Sequence, residues 1–235
     1  MEKNKTGKYF KYAIGEIILV MIGILLALQV NEWNLEKQNR SYEITMLKEV
    51  YEVLVVDLKN INRNISYLKQ VKYSIHEITR MKNDLSIPRD SLYEHLDFID
   101  GYGTAFLVNR SPFEAIESGG LDKISNTEIR NVLSTLYGFT LESTEGWINQ
   151  VLRNELFKRN ELKEEIFGYN IVAGKEFGIR NKLIIENFET VLKHPKIDTY
   201  LYTSGWPLTN TIRLMETSEG QMNELKGLIE KEIKK

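Results

Sequence analysis

The side chains with chemical potential are few and scattered. His76, His95 and His194 occur singly, none with a second histidine at the spacing a metal site requires. Glu94, His95 and Asp97 share one short stretch, a grouping that reads as a surface cluster on a helix rather than an acid–base site. Glu117 and Asp122 are the nearest approach to a carboxylate pair, but they flank a loop, where acids are common. Ser118-Gly119-Gly120 reads as a helix stop rather than an anion-binding loop. No cysteine occurs, which excludes disulfides, thiolate nucleophiles and cysteine-ligated zinc or iron–sulfur centres. The sequence contains no HExxH, P-loop, GxSxG or dinucleotide fingerprint. These residues predict no catalytic, cofactor or metal site, and no enzyme. Tyr102, Phe106, Phe113, Tyr137, Phe139 and Trp147 are enough to line a small-molecule pocket, with core packing as the simpler reading. The mixed charges of residues 158–165 fit a solvated helix face.

One acid stands apart. Glu16 lies near the start of the run 12–30, in which no side chain from Ile17 to Leu28 is polar. At helical rise that run is roughly 28 Å long, close to the hydrocarbon thickness of a bilayer. Tyr9, Phe10 and Tyr12 sit at one end and Trp33 at the other, as interface anchors would. Leu28-Gln29-Val30-Asn31 offers no small-x-small cleavage site, so the expectation is an uncleaved transmembrane anchor. At about 100° per residue, Val20, Gly23, Ala27, Asn31 and Asn34 all fall within about 60° of Glu16. Small residues four apart allow close helix approach, and an ionisable group in a span faces a partner or water. Three readings stay open. Glu16 marks the interface and sets insertion depth, which is the leading one; or its face packs against another transmembrane helix; or it carries protons or ions.

Lys3, Lys5, Lys8 and Lys11 precede the span, and only Lys37 and Arg40 are basic in residues 31–45. That bias predicts a cytoplasmic tail over 1–11 and an extracytoplasmic region after residue 30. The lack of cysteine suits that placement. The chain has 235 residues, 31 basic and 33 acidic, with a net charge of -2. Such a balance argues against a nucleic-acid partner, and the length allows one or two domains with a real core.

The run from Lys8 to Asn34 resembles a large uncharacterised family of single-span proteins from Gram-negative bacteria. The resemblance rests on Gly15-Glu16, on Ile22-Gly23-Ile24 and on Ala27-Leu28-Gln29-Val30-Asn31-Glu32-Trp33-Asn34. Glu117–Ile124 followed by Glu128-Ile129-Arg130 is also similar to that family's pattern. The resemblance implies an N-terminal anchor in the inner membrane and supplies no activity, because the family is a domain of unknown function.

Beyond the span, Leu47, Val50, Leu54, Leu58, Ile61, Ile65, Leu68 and Ile75 follow three- and four-residue steps, interrupted by Lys72. With no proline before Pro88, the spacing predicts a stalk helix over 31–85 that continues the span. Its stripe is core of an intramolecular bundle, with an intermolecular coiled coil as the alternative. Ser41–Glu43 marks a weaker stretch where a hinge would lie. The remainder, 86–235, predicts further helices. One covers 88–100. Another opens at Ser111-Pro112-Phe113-Glu114, with Ser111 as N-cap, and stops at Gly119-Gly120. A long one starts at Asn126-Thr127-Glu128 and is weakened at Gly138 and Gly146. After a glycine-containing loop over 168–182 come a helix over 182–193 and a last one from about 196, kinked near Pro207. The expected architecture is all-α: one transmembrane helix continuing into a stalk and an extracytoplasmic helical bundle.

The functional expectation is a membrane-anchored, non-enzymatic scaffold or partner-binding protein in contact with lipid, forming a homo-oligomer or meeting another membrane protein. Two alternatives remain: a stator-like accessory subunit of an ion-driven complex using Glu16, and a ligand-sensing ectodomain signalling through a membrane partner.

Overall fold

The computed structural model describes residues 6–84, 86–88, 90–103, 106–167, 169–174, 178–183 and 187–235, with the backbone alone at 6–9, 11, 13 and 169–174 and 178–183. The side chain of Tyr9 and residues Leu85 and Gly168 lie outside that description.

Helix α1 (Thr6–Asn83) is a single element of 78 residues, about 115 Å long at helical rise. Every described side chain from Phe10 to Asn39 is exposed. Burial begins at Arg40 and Glu43 and runs through Leu47, Val50, Leu54, Leu58, Ile61, Ile65, Leu68 and Val71. It then continues past the exposed Lys72 to Ile78 and Met81. The expected hinge at Ser41–Glu43 is replaced by uninterrupted helix. These residues are where α1 enters the bundle, and their side chains are held there by the contacts set out below.

The chain returns as a broken leg. It comprises α2 (Leu92–Gly101), a strap over 106–110 without regular secondary structure and α3 (Ser111–Gly119). Ser111 is the first helical residue rather than the cap: Arg110 is at the N-cap without a side-chain bond, and Asn109 Oδ1 accepts from Ser111 N at 3.0 Å. A 3-10 turn (Leu121–Lys123) leads to α4 (Thr127–Thr135). Asn126 caps α4, its Oδ1 accepting from Glu128 N and Ile129 N.

Helices α4, α5 (Leu141–Trp147) and α6 (Arg153–Phe167) form one rod, joined by π-helical turns at Leu136–Thr140 and Ile148–Leu152. Gly138 lies in the first turn and Gly146 precedes the second. The wider turns compensate for irregular spacing: Leu136 and Leu141 are five apart, off-face in an α-helix, yet both are buried.

Within the expected loop over 168–182, the described residues instead form two paired strands, a hairpin. Strand β1 (Tyr169–Gly174) pairs antiparallel with β2 (Gly178–Leu183), from Tyr169 opposite Leu183 to Gly174 opposite Gly178. The helix expected over 182–193 therefore shrinks to α7 (Phe188–Leu192), capped by Asn187. Helix α8 (Ile197–Ile233) passes through Pro207 without interruption. Apart from the hairpin, the described elements are helical.

α1 ascends, the α2–α3 leg descends, the α4–α6 rod ascends and α8 descends. This is up-and-down order with α8 filling the groove against α1, α4 and α6. At the distal end Lys82 pairs with Asp198, and Lys196 with Glu165. The proximal end, from which the apolar part of α1 emerges, holds the start of α4 and the end of α8.

Candidate functional site

Two features converge at the proximal end: the uncovered apolar length of α1 and a polar collar where it enters the bundle. The collar is built from three distant parts of the chain. Arg40 and Glu43 come from α1, Ser125 and Asn126 from the turn before α4, and Glu232 from the last turn of α8. Arg40 Nη1 donates to Glu43 Oε2 at 2.7 Å and pairs with Glu232 Oε1 at 2.9 Å. Its Nη2 donates to the Glu232 backbone carbonyl at 3.2 Å. Glu43 Oε1 accepts from Ser125 N at 2.7 Å and from Ser125 Oγ at 2.8 Å. Asn126 Nδ2 donates to Glu232 Oε2 at 3.0 Å while its Oδ1 caps α4.

Both carboxylates are nearly out of water, Glu43 1% and Glu232 4% exposed. Buried charges persist only when paired and hydrogen-bonded, and here each carboxylate has a cation and further donors. Hydrogen bonds from Lys235 and Asn126, with Arg40 adding to them, hold the Glu232 carboxyl down at about 2.

The Gly119-Gly120 stop has a specific place in this collar. Tyr42 lies over it, its hydroxyl donating to the Ala115 carbonyl at 3.3 Å with Lys123 Nζ 5.1 Å from its ring centre. A Cβ on Gly119 would lie 2.3 Å from Tyr42 Oη. Gly120 has φ +104, a conformation L side chains rarely adopt. Glu117 and Asp122 are both exposed beside this turn.

On the free part of α1, Glu16, Val20, Gly23, Ala27, Asn31 and Asn34 are all exposed, and a Cβ on Gly23 would meet nothing within 4 Å. Phe10, Tyr12 and Trp33 are exposed as well, at 69%, 77% and 66%. One helix among the described residues, this one, is long and apolar enough to cross a membrane.

Other candidates fall apart spatially. His95 is buried rather than on a surface cluster, its Nδ1 3.1 Å from Ser74 Oγ, because α2 turns that face onto α1. His76 is exposed, and His194 Nδ1 accepts from Lys196 N at 3.2 Å. Among the described residues no three His, Asp or Glu side chains are placed to hold a metal ion. The aromatics divide too. Phe113 stacks on Tyr137 at 4.8 Å, Trp147 meets Trp206 at 6.1 Å, Tyr102 donates to the Ser204 carbonyl at 2.8 Å, and Phe139 is 68% exposed.

The charged run 158–165 is not wholly solvated. Arg159 and Lys163 are buried at 4% and 8% exposure. Arg159 Nη1 donates to the carbonyls of Ile99 and Tyr102 at 2.6 and 3.0 Å, and Lys163 pairs with Asp100. Carbonyls at the α2 C-terminus point at α6, where Arg159 meets them while Lys163 meets the Asp100 carboxylate beside them.

Residues 16–138, just over half of the chain, match the Family of unknown function DUF6090. The chain belongs to that family. No curated protein and no solved structure matches it. The family match takes in the Glu16 face and most of the collar, including Arg40, Glu43, Gly119, Gly120, Ser125 and Asn126, and ends in the first π turn. It stops short of α8, although α8 covers the inner stripe of α1 and supplies Glu232.

Proposed function

We propose that this protein is a membrane-anchored helical scaffold that holds a partner-binding bundle in a fixed orientation, without catalysing a reaction. In this reading residues 12–30 cross the bacterial inner membrane once, the tail before them is cytoplasmic and the bundle is periplasmic. The Glu16 face then meets a helix of a second copy or of another membrane protein.

The observation that carries this reading is the division of α1. Its apolar part is left bare by the rest of the chain, with every described side chain from Phe10 to Asn39 exposed, while the part from Glu43 onward is built into the core. An apolar stretch of that size needs either lipid or protein around it. Lys3, Lys5, Lys8 and Lys11 before the span, against Lys37 and Arg40 after it, support the orientation.

A pair of reporter fusions after Lys235 tests it. A reporter active only in an oxidising compartment should be active and one that works only in the cytoplasm silent, with the protein in the membrane fraction. A soluble protein, or the opposite reporter pattern, would overturn the scheme.

A further inference from the structure

A groove of about 400 Å³ runs between α1 and the strap, lined by Glu49, Glu52, Val53, Val56, Asp57, Asn109 and Pro112. We propose that this groove is the docking site for an extended segment of a partner protein carrying a lysine or arginine between apolar side chains. The proposal names the chemistry of the partner in the scaffold reading and rests on that reading.

The decisive residue is Asp57. It is 6% exposed, yet among the described residues no cation pairs with it. Its Oδ2 accepts from Asn109 N at 3.1 Å, no described partner meets its other oxygen, and the residue lines the groove. Burial pushes its carboxyl up, with the Asn109 bond the one influence against that. Every other strongly buried carboxylate described, Glu43, Glu77, Glu155 and Glu232, has a basic partner. Asp57 is the exception, and it faces an opening rather than the core.

The walls say what kind of cation fits. Glu49 and Glu52 add two carboxylates at the rim, and among the described residues neither is in an ion pair. Glu49, Glu52 and Asp57 do not converge as a metal-binding group. Val53, Val56 and Pro112 provide apolar surface between the acids, and Val56 and the neighbouring Leu107 are 59% and 76% exposed. Long basic side chains bury an aliphatic stem while delivering a charged head, which matches an acid at the floor of an apolar groove.

The strap favours a peptide over a small amine. Residues 106–110 belong to no helix or strand, and among the described residues Phe106, Leu107 and Val108 make no backbone hydrogen bond. Unpaired main-chain groups of this kind can pair with the backbone of a second, extended segment, which a small amine could not offer.

The test pans the full-length protein, in lipid nanodiscs, against a displayed random peptide library, then measures the affinity of the enriched peptides. Peptides with Lys or Arg flanked by Val, Leu or Ile should be enriched. Asp57→Asn, which keeps an acceptor for Asn109 N but not the charge, should weaken their binding at least about tenfold. It should do so with an unchanged circular dichroism spectrum. Val56→Arg, on the wall, should also abolish binding, and acetylating the peptide lysine should do the same. No enrichment, enrichment of acidic or uncharged peptides, or equal affinity for Asp57→Asn would overturn the groove assignment. None of those outcomes touches the anchor and its orientation, which the reporter fusions judge separately.

Discussion

Arg40 Nη1 lies 2.9 Å from Glu232 Oε1, joining the point where α1 enters the bundle to the last turn of α8. The same nitrogen lies 2.7 Å from Glu43 Oε2, so one guanidinium neutralises two buried carboxylates. Arg40→Ala should destabilise the fold by about 2–3 kcal/mol, since both acids lose their shared cation. Arg40→Lys should recover only part of this, because a single ammonium nitrogen lacks the planar fork whose two Nη groups reach Glu43 and both the carboxylate and the carbonyl of Glu232. Thermal unfolding of the three proteins decides the matter, and an unshifted midpoint for Arg40→Ala would refute the collar's role.

The pH dependence follows from Glu232. Its folded-state carboxyl is depressed to about 2 by Lys235, Asn126 and Arg40. A depressed carboxylate stabilises the fold fully above its unfolded value of about 4.3, and that contribution is lost as pH falls toward the folded value. Wild type should therefore lose stability between about pH 4.5 and 2, and Glu232→Gln should show a shallower loss over that window. Denaturant titrations at stepped pH measure the difference; identical slopes would remove Glu232 from the account.

The paired glycines should fail for different reasons. Gly120→Ala forces an L side chain to φ +104 and should cost about 1–3 kcal/mol. Gly119→Ala pushes on Tyr42, so Tyr42→Ala should relieve much of its effect, and the double variant should be less destabilised than the sum of the singles. Additive losses would show that the Tyr42 contact is not what requires Gly119.

On the free part of α1, Gly23→Leu separates the readings of the Glu16 face. A bulky side chain keeps helix backbones apart, so cross-linked oligomer or partner yield in membranes should fall. Glu16→Gln should reduce it less, because the amide retains hydrogen bonding. Loss of function in Glu16→Gln with intact assembly would instead point to proton transfer, and normal behaviour of both variants to an interfacial marker.

The long elements are legible because their signals are local. Leu47 to Leu68 repeat at helical spacing and are buried on one face, and Asn126 caps the helix its neighbours announce. The collar is not legible. Arg40, Glu43 and Glu232 look like ordinary charges of polar helices, and Arg40 and Glu232 are 192 residues apart. Arg159 and Lys163 mislead for the same reason: their burial depends on the end of α2, which no pattern within α6 reveals. Leu136 and Leu141 fit one face only through a π turn, whose extra residue breaks the 3.6 period. The hairpin is hidden by Gly174 and Gly178, which signal a loop but here form the last pair of its ladder.

The single unbroken α1 also sets a compass bearing. With no joint between Glu16 and Asp57, the angle between them around the helix axis is determined by residue count alone. At about 100° per residue, Asp57 lies about 140° around from Glu16. Two copies meeting through their Glu16 faces would stand back to back, with both grooves on the outer flanks of the pair, clear of each other. Adding one residue between 31 and 39 would swing each groove by about 100° and raise it only about 1.5 Å. The stretch between the apolar part of α1 and the bundle thus fixes the direction in which the bundle looks far more tightly than the height at which it stands.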